Sequence, residues 1–211
     1  MGARLVRGGR PRHAGRALTA RPWWFGPQAL RRPGEGTPFD LVLLDRDGTI
    51  NVRVPDGYVT RPDELRLLPG AAAAVGALTA AGCRTVLVTN QRGVARGLLD
   101  RSDLEAVHER LSHALAAEGG RLDAIAVCPH DTGVCSCRKP LDGLFRAALA
   151  AAPWAHPERC VMVGDMPSDL APARGLGMRT ERVTTQRDLA DVVALLAPPS
   201  GARRAAAGVR R

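Results

Sequence analysis

Five short apolar runs, at 41–44, 85–88, 124–127, 161–163 and 180–183, punctuate the chain, and each ends on a polar loop. Runs this short and this apolar suit strands covered on both faces, the situation of a parallel sheet. Between them, Ala/Leu-rich spacing predicts helices at 70–81, 103–118, 142–152, 169–176 and 187–197. In the second of these, Leu104, Val107, Leu111 and Leu115 share one stripe, and Ser102 with Glu105 reads as a capping box. Strand and helix alternate, so the expected class is α/β: a Rossmann-like parallel sheet with helices on both faces and right-handed crossovers. Ligands of such sheets bind beyond the carboxyl ends of the strands, so function is sought in the loop after each run.

The flanks have another composition. Residues 1–38 hold eight Arg against one acid, Glu35, and 12 Gly or Pro, the density of a segment that does not pack. They are expected to form a disordered basic arm, and 200–211, with four Arg and no acid, a disordered basic tail. The domain proper is then 39–199. Of the formal charge of +9, the arm carries +7 and the tail +4, which leaves the body at −2. A nucleic-acid groove needs its cations in the body, so nucleic acid is not the expected partner; an RNA- or DNA-associated role would rest on the Arg-rich ends alone. The uncharged stretch 67–83 is broken by Pro69, Gly70, Gly76 and Gly82, and no membrane span is expected. Without a signal-type apolar segment near the start, the expected location is the cytoplasm and the expected state a monomer.

The loops after the runs carry the chemistry. After the first comes Asp45-Arg46-Asp47-Gly48-Thr49-Ile50-Asn51. Two carboxylates at i and i+2, where a buried strand opens into a Gly turn, can converge on one site, and their repulsion calls for a cation. One can then serve as nucleophile or ligand while the other moves protons. The plainer reading is an Asx-type turn bent at Asp47-Gly48. After the second run, Thr89-Asn90-Gln91 and a glycine loop offer a hydroxyl and two amides to phosphate oxygens, although a loop cap explains them equally well.

After the third run, Cys128 and His130 lie two apart, as do Cys135 and Cys137, and four residues join the pairs. Residues i and i+2 of an extended segment share a side, so two such pairs face to face supply three thiolates and an imidazole, a tetrahedron suited to structural Zn²⁺. Incidental thiols on a surface loop are the alternative. Arg138 and Lys139 come directly after. The chain has 29 Arg and this single Lys, which points to a place for a compact ammonium that a guanidinium fork would not fit. After the fourth run, Asp165 is placed to complete a hard-cation site for Mg²⁺, and Asp169 reads equally as a helix cap.

Taken in order, Asp45-x-Asp47-Gly-Thr, Thr89, Lys139 and Gly164-Asp165-x3-Asp169 resemble the four motifs of the haloacid dehalogenase superfamily of phosphohydrolases. More narrowly, DRDGTIN, GYV at 57–59, LLPGA at 67–71, TNQRGVARG and the Cys/His run ending in Arg-Lys-Pro are similar to the heptose bisphosphate phosphatases and the related histidinol-phosphatases. The resemblance implies a Mg²⁺-dependent phosphomonoesterase for a small phosphorylated metabolite, most simply a heptose bisphosphate, with histidinol phosphate as the alternative. It implies Asp45 as nucleophile, Asp47 as general acid/base, Thr89 and Lys139 on the phosphoryl group, and Mg²⁺ held by Asp45, Asp165 and the Asp47 carbonyl. Asn90 and Arg138 would meet substrate. The spacing between the motifs leaves no room for a large cap domain. Arg92 replaces the small residue usual after Thr-Asn-Gln, and the linker between the zinc pairs is shorter than in most relatives.

Overall fold

Strand β2 (Leu41–Leu44) is buried along its whole length and has a parallel neighbour on each side, β3 (Arg84–Asn90) and β5 (Cys160–Gly164). β4 (Ala124–Cys128) continues the sheet beyond β3 and β6 (Arg179–Arg182) beyond β5, both parallel. β1 (Trp23–Phe25) pairs antiparallel with β4, giving the order β1-β4-β3-β2-β5-β6. These relations come from a computed structural model, which describes residues 20–197. The chain leaves β2 to one side for β3 and returns to its other side for β5, so the topological switch lies at the carboxyl end of β2.

Side chains of β2 alternate between two cores. Val42 and Leu44 face helices α1 (Ala71–Ala80), α3 (Arg101–Ala116) and α6 (Leu189–Leu196); Leu41 and Leu43 face α4 (Gly143–Ala151) and α5 (Pro167–Gly175). That double cover is why the run is apolar throughout, each Leu contributing about 1.5–3 kcal/mol by burial. The stripe of α3 is buried as its spacing predicts. A short helix, α2 (Arg92–Ala95), comes after β3.

Three expectations are corrected. α3 is capped two residues earlier than Ser102: Asp100 accepts from the Asp103 amide at 2.9 Å, Asp103 returns the bond, and Ser102 donates to Asp100. The last strand is not covered on both faces; β6 is an edge with Arg179 and Arg182 exposed, and Arg179 lies 2.7 Å from the largely buried Glu181. The unpacked arm does not extend to residue 38. Beyond β1, Leu30 is buried, its amide donates to Ala151 O at 2.7 Å and its carbonyl accepts from Trp154 Nε1 at 2.9 Å. A few apolar anchors outweigh the Gly/Pro density around them. Residues 1–19 and the tail from 198 lie outside the described residues. No helix among those described is long and apolar enough to cross a membrane.

Candidate active site and metal centres

The β2–β5 ladder continues one residue past β2, the Asp45 amide donating to Val163 O at 3.0 Å, and this delivers Asp45 to the switch point beside Asp165. Lys139 arrives from the loop after β4. Its Nζ lies 2.6 Å from Asp45 Oδ1 and 2.8 Å from Asp169 Oδ1, and donates to Val88 O at 2.8 Å. All three ammonium donors are therefore used, in a space that leaves Lys139 4% exposed. Burial opposes its charge, but Asp45 and Asp169 together hold its pKa above the ordinary lysine value. Burial likewise raises the Asp45 carboxyl to about 6; Lys139 works against this rise, and Asp169 and Asp47 add to it. Asp169 also accepts from the Met166 amide, so the residue that reads as a cap is at once a cap and a partner of Lys139.

Asp45, Asp165 and Asp169 each present a carboxylate oxygen within 4.8 Å of the others. An all-oxygen anionic set of this kind fits Mg²⁺, and one ammonium leaves it short of positive charge. Burial raises the Asp165 carboxyl too, with Arg53 opposing and Asp169 adding. Gly48 adopts φ +90°, and a Cβ there would fall 2.3 Å from Asp165 Oδ2, so the turn after Asp47 admits only glycine. Asp47 offers its carbonyl on this side, where it accepts from Arg53 Nη2 at 2.9 Å, and its carboxylate has its own set of donors. That carboxylate accepts from Arg46 at 3.0 Å, Asn51 Nδ2 at 2.9 Å and Gln91 Nε2 at 2.9 Å. Burial pushes its pKa up, yet Arg46 and the hydrogen bonds hold it below the usual carboxylate range.

Gln91 binds Asp47 and Thr89 Oγ1 (2.8 Å) through one nitrogen, so the ends of β2 and β3 are tied behind the site. Asn90 brackets Lys139: its Nδ2 donates to Lys139 O at 3.0 Å and its Oδ1 accepts from Lys139 N at 3.1 Å. Its amide is thus spent on holding the lysine. Arg138 keeps a buried Nη1 without a hydrogen-bond partner. Asp45, Asp47, Thr89, Asn90, Arg138, Lys139 and Asp169 open on one cleft of about 670 Å³, whose other wall is the flap carrying Arg53 and Tyr58. Arg53 gave no signal in the sequence, being one Arg among 29. Gln91 was visible only as a second amide beside Thr89.

The predicted zinc residues also come together. The ligand atoms of Cys128, His130, Cys135 and Cys137 all lie within 4.8 Å of one another. Cys128 Sγ is 3.6 Å from Cys135 Sγ, and His130 Nδ1 is 3.2 Å from Cys137 Sγ and 3.7 Å from Cys128 Sγ. The edge of a tetrahedron with Zn–S bonds of about 2.3 Å is roughly 3.8 Å, so the donors can hold zinc with little adjustment. A hydrogen bond from the Cys137 thiol lowers Cys128 to about 5, and the same bond raises Cys137. Arg92 is ion-paired with Asp131 of this loop, fastening α2 to the Cys/His cluster.

Residues 37–177 match the family model of haloacid dehalogenase-like hydrolases. The chain belongs to that family. The chain is 50% identical over 108 residues to the D-glycero-beta-D-manno-heptose-1,7-bisphosphate 7-phosphatase of Bordetella bronchiseptica, an alignment covering 50% of this chain and 59% of that relative. It is 42% identical over 130 residues to the D-glycero-alpha-D-manno-heptose-1,7-bisphosphate 7-phosphatase of Mycobacterium tuberculosis, covering 61% and 68%. The crystal structure of a D,D-heptose 1,7-bisphosphate phosphatase from B. bronchiseptica, complexed with magnesium and phosphate, superposes with a TM-score of 0.69 at 37% identity, over 74% of this chain and 97% of that one.

Proposed function

We propose that this hydrolase is a Mg²⁺-dependent phosphomonoesterase that removes the 7-phosphate of a D-glycero-D-manno-heptose 1,7-bisphosphate. The observation that carries the reading is the meeting of Asp45, Lys139, Asp165 and Asp169 at the switch point of the sheet, beside a cleft that Arg138 also lines. The relatives named for this substrate support the sugar, and they include both anomers.

Asp45 is read as the nucleophile: one carboxylate oxygen forms the bond to phosphorus as the bond from phosphorus to the sugar oxygen breaks. Lys139 holds its ammonium against Asp45 and the incoming phosphoryl oxygens, offsetting charge where it builds. Thr89 and the Arg138 guanidinium complete the phosphoryl cradle. Asp47 supplies the proton that leaves with the sugar alkoxide, then takes one from the water that cleaves the aspartyl-phosphate, releasing phosphate and restoring Asp45. The charge of a bound phosphate raises Asp47 toward the protonated form that the first step needs. Mg²⁺, held by Asp45, Asp165, Asp169 and the Asp47 carbonyl, would supply electrostatic stabilisation of the phosphoryl oxygens. The reading is of a cytoplasmic monomer, because one chain builds the whole site and reduced thiols suit the Cys/His cluster.

Phosphate release from heptose bisphosphates, sugar monophosphates, histidinol phosphate and nucleotides, with Mg²⁺ present, tests this. The heptose bisphosphate should give the highest kcat/KM, and Asp45→Asn should lower kcat by about 10⁴-fold or more with folding intact. Release from none of these esters, or preference for histidinol phosphate, would overturn the substrate assignment.

A further inference from the structure

Arg53 stands on the flap between the exposed Val52 and Val54, and no step of the proposed reaction uses it. Its contacts are unusual for an arginine. A single nitrogen, Nη2, lies 2.9 and 2.8 Å from the two oxygens of Asp165 and 2.9 Å from the carbonyl of Asp47. Arginine usually meets a carboxylate through two nitrogens in a fork. Here one positive point sits among three oxygens from two loops, in the pattern of a metal ion, and these partners belong to two residues that serve as Mg²⁺ ligands in the proposed site. The side chain is 47% exposed, so the ion pair is of the weak, solvent-screened kind and can open without unpacking anything.

We infer that Arg53 is an exchangeable counter-cation, holding the seat of the divalent ion in the metal-free chain and giving it up when the ion binds. Three carboxylates crowd this place, and Lys139 pairs directly with only Asp45 and Asp169. Asp165 is the one left over, and Arg53 takes it. A guanidinium and a hydrated divalent ion cannot share the same oxygens, so the two compete, and apparent Mg²⁺ affinity is the intrinsic affinity multiplied by the fraction of time the seat is open. The displaced guanidinium stays on the flap and faces the cleft that Arg96 and Arg138 also line.

The inference rests on the reading of the carboxylate trio as a Mg²⁺ site, and its test does not use turnover. Calorimetric titration of Mg²⁺ into protein dialysed free of it, without a zinc chelator, should give Arg53→Met a Kd about five- to tenfold tighter than wild type. Arg96→Met removes the same charge from the same cleft without those contacts and should tighten binding by no more than about twofold. In thermal melts, Arg53→Met should be less stable than wild type without Mg²⁺ and equal to it at saturation. If Arg53→Met fails to fold, Arg53→Lys, which keeps the charge and loses the reach, should bind Mg²⁺ more tightly than wild type. Equal or weaker binding by the Arg53 variants, or tightening matched by Arg96→Met, overturns the inference. No Mg²⁺ binding by any of the proteins, wild type included, overturns the reading of the site beneath it.

Discussion

Two donor clusters share the carboxyl edge of this sheet, and they are built on opposite plans. The Cys/His cluster gathers four soft donors from ten consecutive residues, 128–137, and they close on one another to leave no ligand position open. The carboxylate cluster gathers Asp45, Lys139, Asp165 and Asp169 from three separate strand ends, carries more negative than positive charge, and faces a cleft. A closed local cluster can only pin a loop, whereas an open, charge-deficient one can take in a cation and a phosphate. The two are joined through one residue: Cys137 leads through Arg138 to Lys139, so the first cluster borders the segment from which the ammonium of the second reaches.

The sharpest way to break this contrast is Lys139→Arg. The charge is kept, but three acceptors at 2.6–2.8 Å enclose a point cation, and a guanidinium does not fit among them. We expect kcat to fall by about 10²–10³-fold with zinc content unchanged; near wild-type turnover would show that any cation suffices there. Cys135→Ser should lose about one equivalent of zinc by metal analysis and about 2–4 kcal/mol of stability in denaturant, with a smaller loss of kcat passed on through Lys139. Retained stability without zinc would separate the two clusters.

Two histidines make the same comparison on a smaller scale. His130 directs Nδ1 at the Cys137 thiol, while His108, buried on α3 against the edge of Phe25, has both ring nitrogens without a partner. Burial holds His108 at about 3, with Arg46 lowering it further and Asp47 opposing. The folded value lies below the ordinary 6.5, so the stability of the neutral ring is full above pH 6.5 and is lost as pH falls from there towards about 3. At pH 5 the loss is about 2 kcal/mol. His108→Leu should match wild type near pH 7.5 and exceed it by that amount at pH 5 in urea unfolding; parallel pH curves would assign the acid sensitivity elsewhere.

How much of this was legible depends on how local each signal is. Four of the five apolar runs became doubly covered strands because burial on both faces leaves its mark within the run itself. The fifth became an edge, since position in a sheet is not written in four residues. Trp23–Phe25 and Leu30 were hidden by the Gly and Pro around them. The gathering of Cys128, His130, Cys135 and Cys137 was visible from spacing alone. Asp169 was ambiguous because a carboxylate at the start of a helix caps it whatever else it touches, and here it does both.

By itself, the sequence determined the alternating architecture, the Cys/His cluster, the order of the motifs and the singular place of Lys139, because each is carried by residues a few positions apart or by composition. Tertiary structure alone decided that Asp169 joins Lys139, that Gln91 bridges Asp47 and Thr89, and that Arg53 reaches Asp165. Those contacts join residues from separate loops, and only the crossover geometry of the sheet brings their charges to one point.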